Sequence, residues 1–208
     1  MSTKVIHKSE TRGKADHGWL KARHTFSFSD YSDPSRVNFG MLRVLNDDQV
    51  AGGMGFGKHP HENMEIITIP LSGSLVHSDS MGNTAVIESG DVQVMSAGTG
   101  IFHSEKNNNI AEPLKLLQIW VFPDKNNVEP RYGQMTLKPE NSINKLEQIV
   151  SPDESDSGMW IHQSAWFYIG SLDAGVELKY HLKKKGNGVY AFIISGASEV
   201  DGEMLNDR

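Results

Sequence analysis

The chain has 208 residues, of which 38% are hydrophobic and 22% charged. That is an ordinary soluble composition with room for one large domain or two small ones. The 20 basic and 26 acidic residues leave a net charge of −6, which argues against a protein that neutralises nucleic-acid phosphates. The complete absence of cysteine excludes disulfides, thiol nucleophiles, iron–sulfur clusters and cysteine zinc sites, so any metal has to be held by His, Asp, Glu or backbone oxygen. No apolar run approaches the roughly 20 residues of a membrane span. Residues 1–8 lack the apolar centre of a secretory leader, and the expected location is the cytoplasm.

From Phe39 onward, short β-branched and aromatic runs alternate with glycine turns: residues 66–69, 74–76, 84–87, 92–95 and 116–122. Turns at about 8–12 residue spacing point to an all-β antiparallel barrel or sandwich rather than βαβ units. Residues 141–150 are expected to form a short helix ahead of the Ser151-Pro152-Asp153 turn. A faint internal repeat relates 67–76 to 190–199, each an apolar strand running into Ser-Gly and a second short strand. Two similar β units follow: an N-terminal one over 1–123, a joining region over 124–158 rich in proline and acid, and a C-terminal one over 159–208. Lys183-Lys184-Lys185 ahead of Gly186 reads as a solvated turn, and the scattered methionines read as core filling.

The sharpest chemical feature is His59-Pro60-His61 in a glycine-rich frame. In an extended strand, side chains i and i+2 project to the same face, so both imidazoles can converge on one ion. His103-Ser104-Glu105 repeats the spacing. On neighbouring strands the two pairs give three imidazoles and one carboxylate. That set suits Fe(II) foremost, with Ni, Cu, Mn, Co or Zn as alternatives, and leaves positions open for substrate. His7, His17, His24, His77, His162 and His181 have no partner at ligand spacing and are expected at the surface or in satisfied polar contacts.

Residues 53–73 resemble the first cupin motif, G-x5-H-x-H-x3,4-E-x6-G, with seven residues rather than six between Glu65 and Gly73. Counting back from Gly73 puts Ile66 at the usual Glu position, so Glu65 is not expected to bind the metal. Residues 90–107 resemble the second motif, G-x5-P-x-G-x2-H-x3-N, with Ser96 in place of Pro and two extra residues before His103. Both departures resemble the pirin family of the cupin superfamily, in which a Glu two residues after the second-motif His supplies the missing ligand, here Glu105. Segments 19–28, 42–48 and 95–101 are pirin-like as well.

The resemblance covers essentially the whole chain. It implies a bicupin of two face-to-face β-barrels (double-stranded β-helix, jelly roll), with the metal at His59, His61, His103 and Glu105 in the N-terminal barrel and none in the second. Measured against the repeat, that second barrel is expected to be truncated. The implied activity is a quercetin 2,3-dioxygenase-like opening of a flavonol's central ring by O2 with release of CO, Glu105 acting as base and Phe56 and Ile101 lining a pocket for a flat aromatic substrate. The alternative is a non-enzymatic metal-dependent regulator that binds a transcription-related protein partner. A monomer is favoured.

Overall fold

The glycine-punctuated runs become strands of mostly antiparallel sheets in a computed structural model that describes residues 4–208. The N-terminal strands are β1 (Gly13–Asp16), β2 (Leu20–His24), β3 (Leu42–Val50), β4 (Gly55–His61), β5 (Glu65–Ser72), β6 (Ser74–Asp79), β7 (Thr84–Glu88), β8 (Asp91–Ser96), β9 (Ile101–Asn107) and β10 (Leu114–Val121). After them come β11 (Arg131–Thr136), the helical turn α1 (Pro139–Ser142), β12 (Glu147–Ser151), β13 (Met159–Trp160), β14 (Phe167–Ile169), β15 (Ala197–Val200) and β16 (Glu203–Asn206).

Two sheets enclose the first interior. One has the order β1-β2-β3-β10-β5-β8-β11, the other β4-β9-β6-β7. Leu20, Val50, Leu114 and Leu116 of the larger sheet meet Leu75 and Ile87 of the smaller one in a buried cluster. At the other end Ile66 and Met95 meet Ile101. The fold is all-β and of the bicupin class, and its N-terminal unit is a two-layered barrel.

The outer face of the larger sheet is also covered. Ile67, Ile69, Val92, Val94, Leu117 and Ile119 form one cluster with Ile149, Val150 and Ile161. This explains why Ile66, Ile67 and Ile69 are all apolar: β5 is buried on both faces, so its side chains alternate between two interiors rather than between core and solvent. β11, within the stretch read as a joining region, pairs with β8 along residues 131–136 and closes that sheet edge.

The expected helix over 141–150 is corrected. Helical residues stop at Ser142, Asn144 takes a left-handed turn (φ 55), and 147–151 form β12, paired with β13 and β14. Ile149 and Val150 are both buried. β-branched side chains tolerate that extended, packed state better than a helix.

In the repeat, both Ser-Gly turns place glycine in the left-handed region, Gly73 at φ 81 and Gly196 at φ 79, where a side chain costs about 1 kcal/mol or more. Beyond Gly196, β15 and β16 make a hairpin. Before it, residues 190–194 lie in no sheet, although Tyr190, Phe192 and Ile194 pack onto the shared core.

Candidate metal centre

β4 and β9 are antiparallel neighbours, with His59 directly opposite His103. Gly55 makes the approach possible: a Cβ there would run into the Glu105 backbone carbonyl. Along β9, burial alternates strictly, so Ile101, His103, Glu105 and Asn107 face inward. Along β4 the ladder shifts between Phe56 and His59. Residues three apart in a regular strand face opposite ways, but the extra residue of the bulge turns both Phe56 and His59 inward.

The three imidazoles converge. Ring centroids of His59 and His103 are 4.4 Å apart, those of His59 and His61 4.8 Å, and those of His61 and His103 4.9 Å. Their nearest ligating atoms lie within 4.8 Å of one another. His59 Nδ1 is 2.8 Å from the Gly57 carbonyl, so the bulge itself orients the ring and leaves Nε2 free to ligate. Among the described residues neither ring nitrogen of His103 has a partner, although the residue is 2% exposed. Burial, then its histidine neighbours, lower His103 to a pKa of about 3, and burial followed by His59 lowers His61 to about 4. Both are therefore neutral at pH 7, the state a metal ligand requires.

Glu105 is placed with His77 and His103 in a second, wholly buried group that shares His103 with the first. Its Oε2 accepts from Gln118 Nε2 at 2.8 Å, and its Oε1 lies 3.2 Å from the Thr68 hydroxyl. Burial raises its pKa to about 7 against these two hydrogen bonds. An unpartnered buried imidazole beside a desolvated carboxyl, with His59 and His61 close to it, forms a donor set suited to a divalent cation. The residues fit the ion.

His77 departs from the sequence expectation of a surface or locally satisfied histidine. It is fully buried, its Nε2 is 3.1 Å from Asp79 Oδ2, and its Nδ1 has no partner among the described residues. β6 pairs with β9 so that His77 opposes Glu105 and Asp79 opposes His103. The signal was present as His77-Ser78-Asp79, the same i, i+2 spacing as the other two pairs. Glu65 stands outside both groups, its Oε2 accepting from Ser96 Oγ at 2.7 Å. Ile101 is core, packed with Ile66, Met95 and Ala97, so it does not line the pocket.

Phe56 does. A cavity of about 340 Å³ opens on the side where the edge strands β1 and β4 leave the two sheets apart, lined by Ala15, His17, Trp19, Leu20, Ala22, His24, Phe28, Ser29 and Phe56. It adjoins the histidines through aromatic contacts. Phe28 is edge-on to Trp120 at 5.3 Å, and Trp120 is edge-on to His61 at 4.8 Å.

The sequence model of the Pirin family matches residues 5–121. The chain belongs to the pirin family. The model of the quercetinase C-terminal cupin domain matches residues 148–208. The chain is similar to a protein of Escherichia coli K12 named quercetin 2,3-dioxygenase, at 45% identity over 80% of this chain and 71% of that one. It is also similar to a pirin-like protein of Caulobacter vibrioides, at 41% over 94% and 84%. The crystal structure of the bacterial pirin YhhW from Escherichia coli in complex with nickel(II) superposes with a TM-score of 0.81 at 37% identity, covering 96% of this chain and 85% of that one. This pirin-family chain is a cupin-type, metal-dependent oxidoreductase, and its His/Glu cluster has the donors for one divalent ion.

Proposed function

We propose that this pirin-family enzyme opens the central ring of flavonols such as quercetin, consuming O2 and releasing CO, with His59, His61, His103 and Glu105 holding an Fe(II) ion. The observation that carries the reading is the convergence of three imidazoles beside a cavity walled by Trp19, Phe28 and Phe56. The overall conversion balances as flavonol plus O2 giving the ring-opened ester plus CO. When bound, the ion supplies a Lewis acid for the flavonol's oxygens and a redox partner for O2.

The chain's own residues do the rest. The aromatic walls hold a flat substrate by offset and edge contacts, which contribute about 0.5–1.5 kcal/mol per pair beyond the area buried. Glu105 projects to the same interior face as the histidines and receives the proton of the flavonol's central-ring hydroxyl. The Gln118 amide holds its carboxylate in place while it does so. Burial of Glu105 and His103 keeps water from competing for that proton.

The test is loss of flavonol absorbance with stoichiometric O2 uptake and CO release, for the chain loaded in turn with Fe(II), Ni, Cu, Mn, Co and Zn. Turnover fastest with Fe(II) is expected. No turnover with any metal overturns the reading. Given turnover, Glu105→Gln impairs it far more than Glu65→Gln, and equal effects overturn the assignment of Glu105.

A further inference from the structure

The wall of the cavity is apolar except at few points, and the best defined of these is His24. It ends β2 on the strand's inward face, 4% exposed. Its Nδ1 is 3.0 Å from Asn46 Oδ1, an oxygen that only accepts, so Nδ1 carries the hydrogen and the ring is held in one tautomer. Among the described residues Nε2 makes no hydrogen bond and is not closed off from the surroundings, which leaves it an unprotonated acceptor on a ring that lines the cavity. Phe28 packs on that ring at 5.2 Å and Tyr31 stacks on it at 6.4 Å, so it cannot swing away.

The support behind the ring is built with some strain. Phe28 and Tyr31 exchange two backbone hydrogen bonds, of 2.9 and 3.0 Å, around a tight turn in which Ser29 adopts φ 50. A non-glycine residue there costs about 1 kcal/mol or more and persists only where the surroundings demand it. Gly13 lacks a side chain at the point where a Cβ would enter the Tyr31 ring. Burial also lowers the His24 pKa, which keeps the ring neutral at pH 7.

We propose that this cavity takes an aromatic ring bearing a hydroxyl group, and that His24 is the specificity-determining residue that selects the hydroxyl by accepting its hydrogen bond at Nε2. An apolar slot walled by aromatic rings takes any flat ring by area alone. One fixed acceptor inside it rewards a ring that brings a donor, because a ring without one displaces water from the nitrogen and leaves it unpaired. The naming of the ring as the hydroxylated side ring of a flavonol rests on the function proposed above; the preference for a phenol does not.

The test uses the full chain loaded with zinc, which carries out no redox chemistry, and two probes that differ by one hydroxyl, 4-ethylphenol and ethylbenzene. Binding is read from tryptophan fluorescence, since Trp19 lines the cavity. The affinity ratio of phenol to hydrocarbon is expected to fall about tenfold in His24→Phe, the size of one neutral hydrogen bond, with ethylbenzene affinity unchanged within about twofold. An unchanged ratio overturns the proposal. A wild-type measurement guards against a variant that misfolds: the 15N resonance of His24 Nε2 moves on adding 4-ethylphenol and stays still with ethylbenzene, and equal behaviour with both overturns it. A phenol preference without flavonol turnover leaves His24's role standing and removes the flavonol reading. Turnover with no His24-dependent preference does the reverse.

Discussion

Strand β5 and residues 190–194 carry similar apolar runs ahead of a Ser-Gly turn, yet one becomes the middle of a sheet and the other joins none. β5 lies between β10 and β8 and makes ladders to both. Residues 190–194 send Tyr190, Phe192 and Ile194 into the same core cluster without a strand on either side. The difference teaches that apolar alternation places side chains on one face, while a ladder needs a neighbour's edge. The proposed metal centre sits on the side of the molecule that has such neighbours, because the candidate ligands on β4 and β9 stay aligned only while the hydrogen-bonded register between those strands holds.

The sharpest way to break this comparison is at the ligands. His103→Ala in β9 is expected to reduce the ion retained after dialysis from about one per chain to under about a tenth, measured by elemental analysis. His181→Ala, in the sheet-free stretch, is expected to leave it unchanged. Next comes the core. Ile67→Ala, fully buried in β5, is expected to cost about 3–4 kcal/mol in urea unfolding, and the half-buried Ile194→Ala about 1 kcal/mol. Equal costs would mean that the two regions are equally well packed.

Glu65 at the start of β5 sharpens the contrast through pH. Burial, opposed by Ser96 and Arg131, raises its folded pKa to about 7. A carboxyl raised in the folded state contributes stability that is fully present below its unfolded value, about 4.5, and lost as pH rises through about 7. Glu65→Gln therefore gains stability relative to the wild type between pH 4 and pH 8, by at most about 3 kcal/mol. Its metal content does not change. A pH-independent difference would mean that Glu65 is not desolvated. The smallest expected effect is at His77. His77→Phe keeps a ring against Tyr132, which it contacts at 4.9 Å, and weakens metal affinity about 10- to 100-fold. No change would mean that the second group is structural only.

Much of the site was legible because its spacing is local. His59 with His61, and His103 with Glu105, share a face in any extended strand, and the missing cysteines narrowed the possible ligands to His, Asp, Glu and backbone oxygen. His77 reads as lacking a partner at ligand spacing, although Asp79 stands two residues away; its place beside Glu105 comes from pairing with β9. Phe56 and Ile101 looked equivalent as pocket residues beside the ligands. The bulge in β4 turned Phe56 toward the cavity, and regular alternation in β9 buried Ile101 in the core. The expected helix over 141–150 failed because Ile149 and Val150 were needed as strand residues against the outer face of β5 and β10.

By itself, the sequence determined the all-β class, the residue types available to hold an ion and which residues could share a strand face, since these follow from composition and from a backbone period of two. Tertiary structure alone decided which strands became neighbours, where the bulge turned a side chain, and that His24, Trp19 and Phe56 wall one cavity. Those outcomes depend on which sheet edges meet and what covers them, and edges meet through contacts between residues far apart in the chain, which no local spacing records.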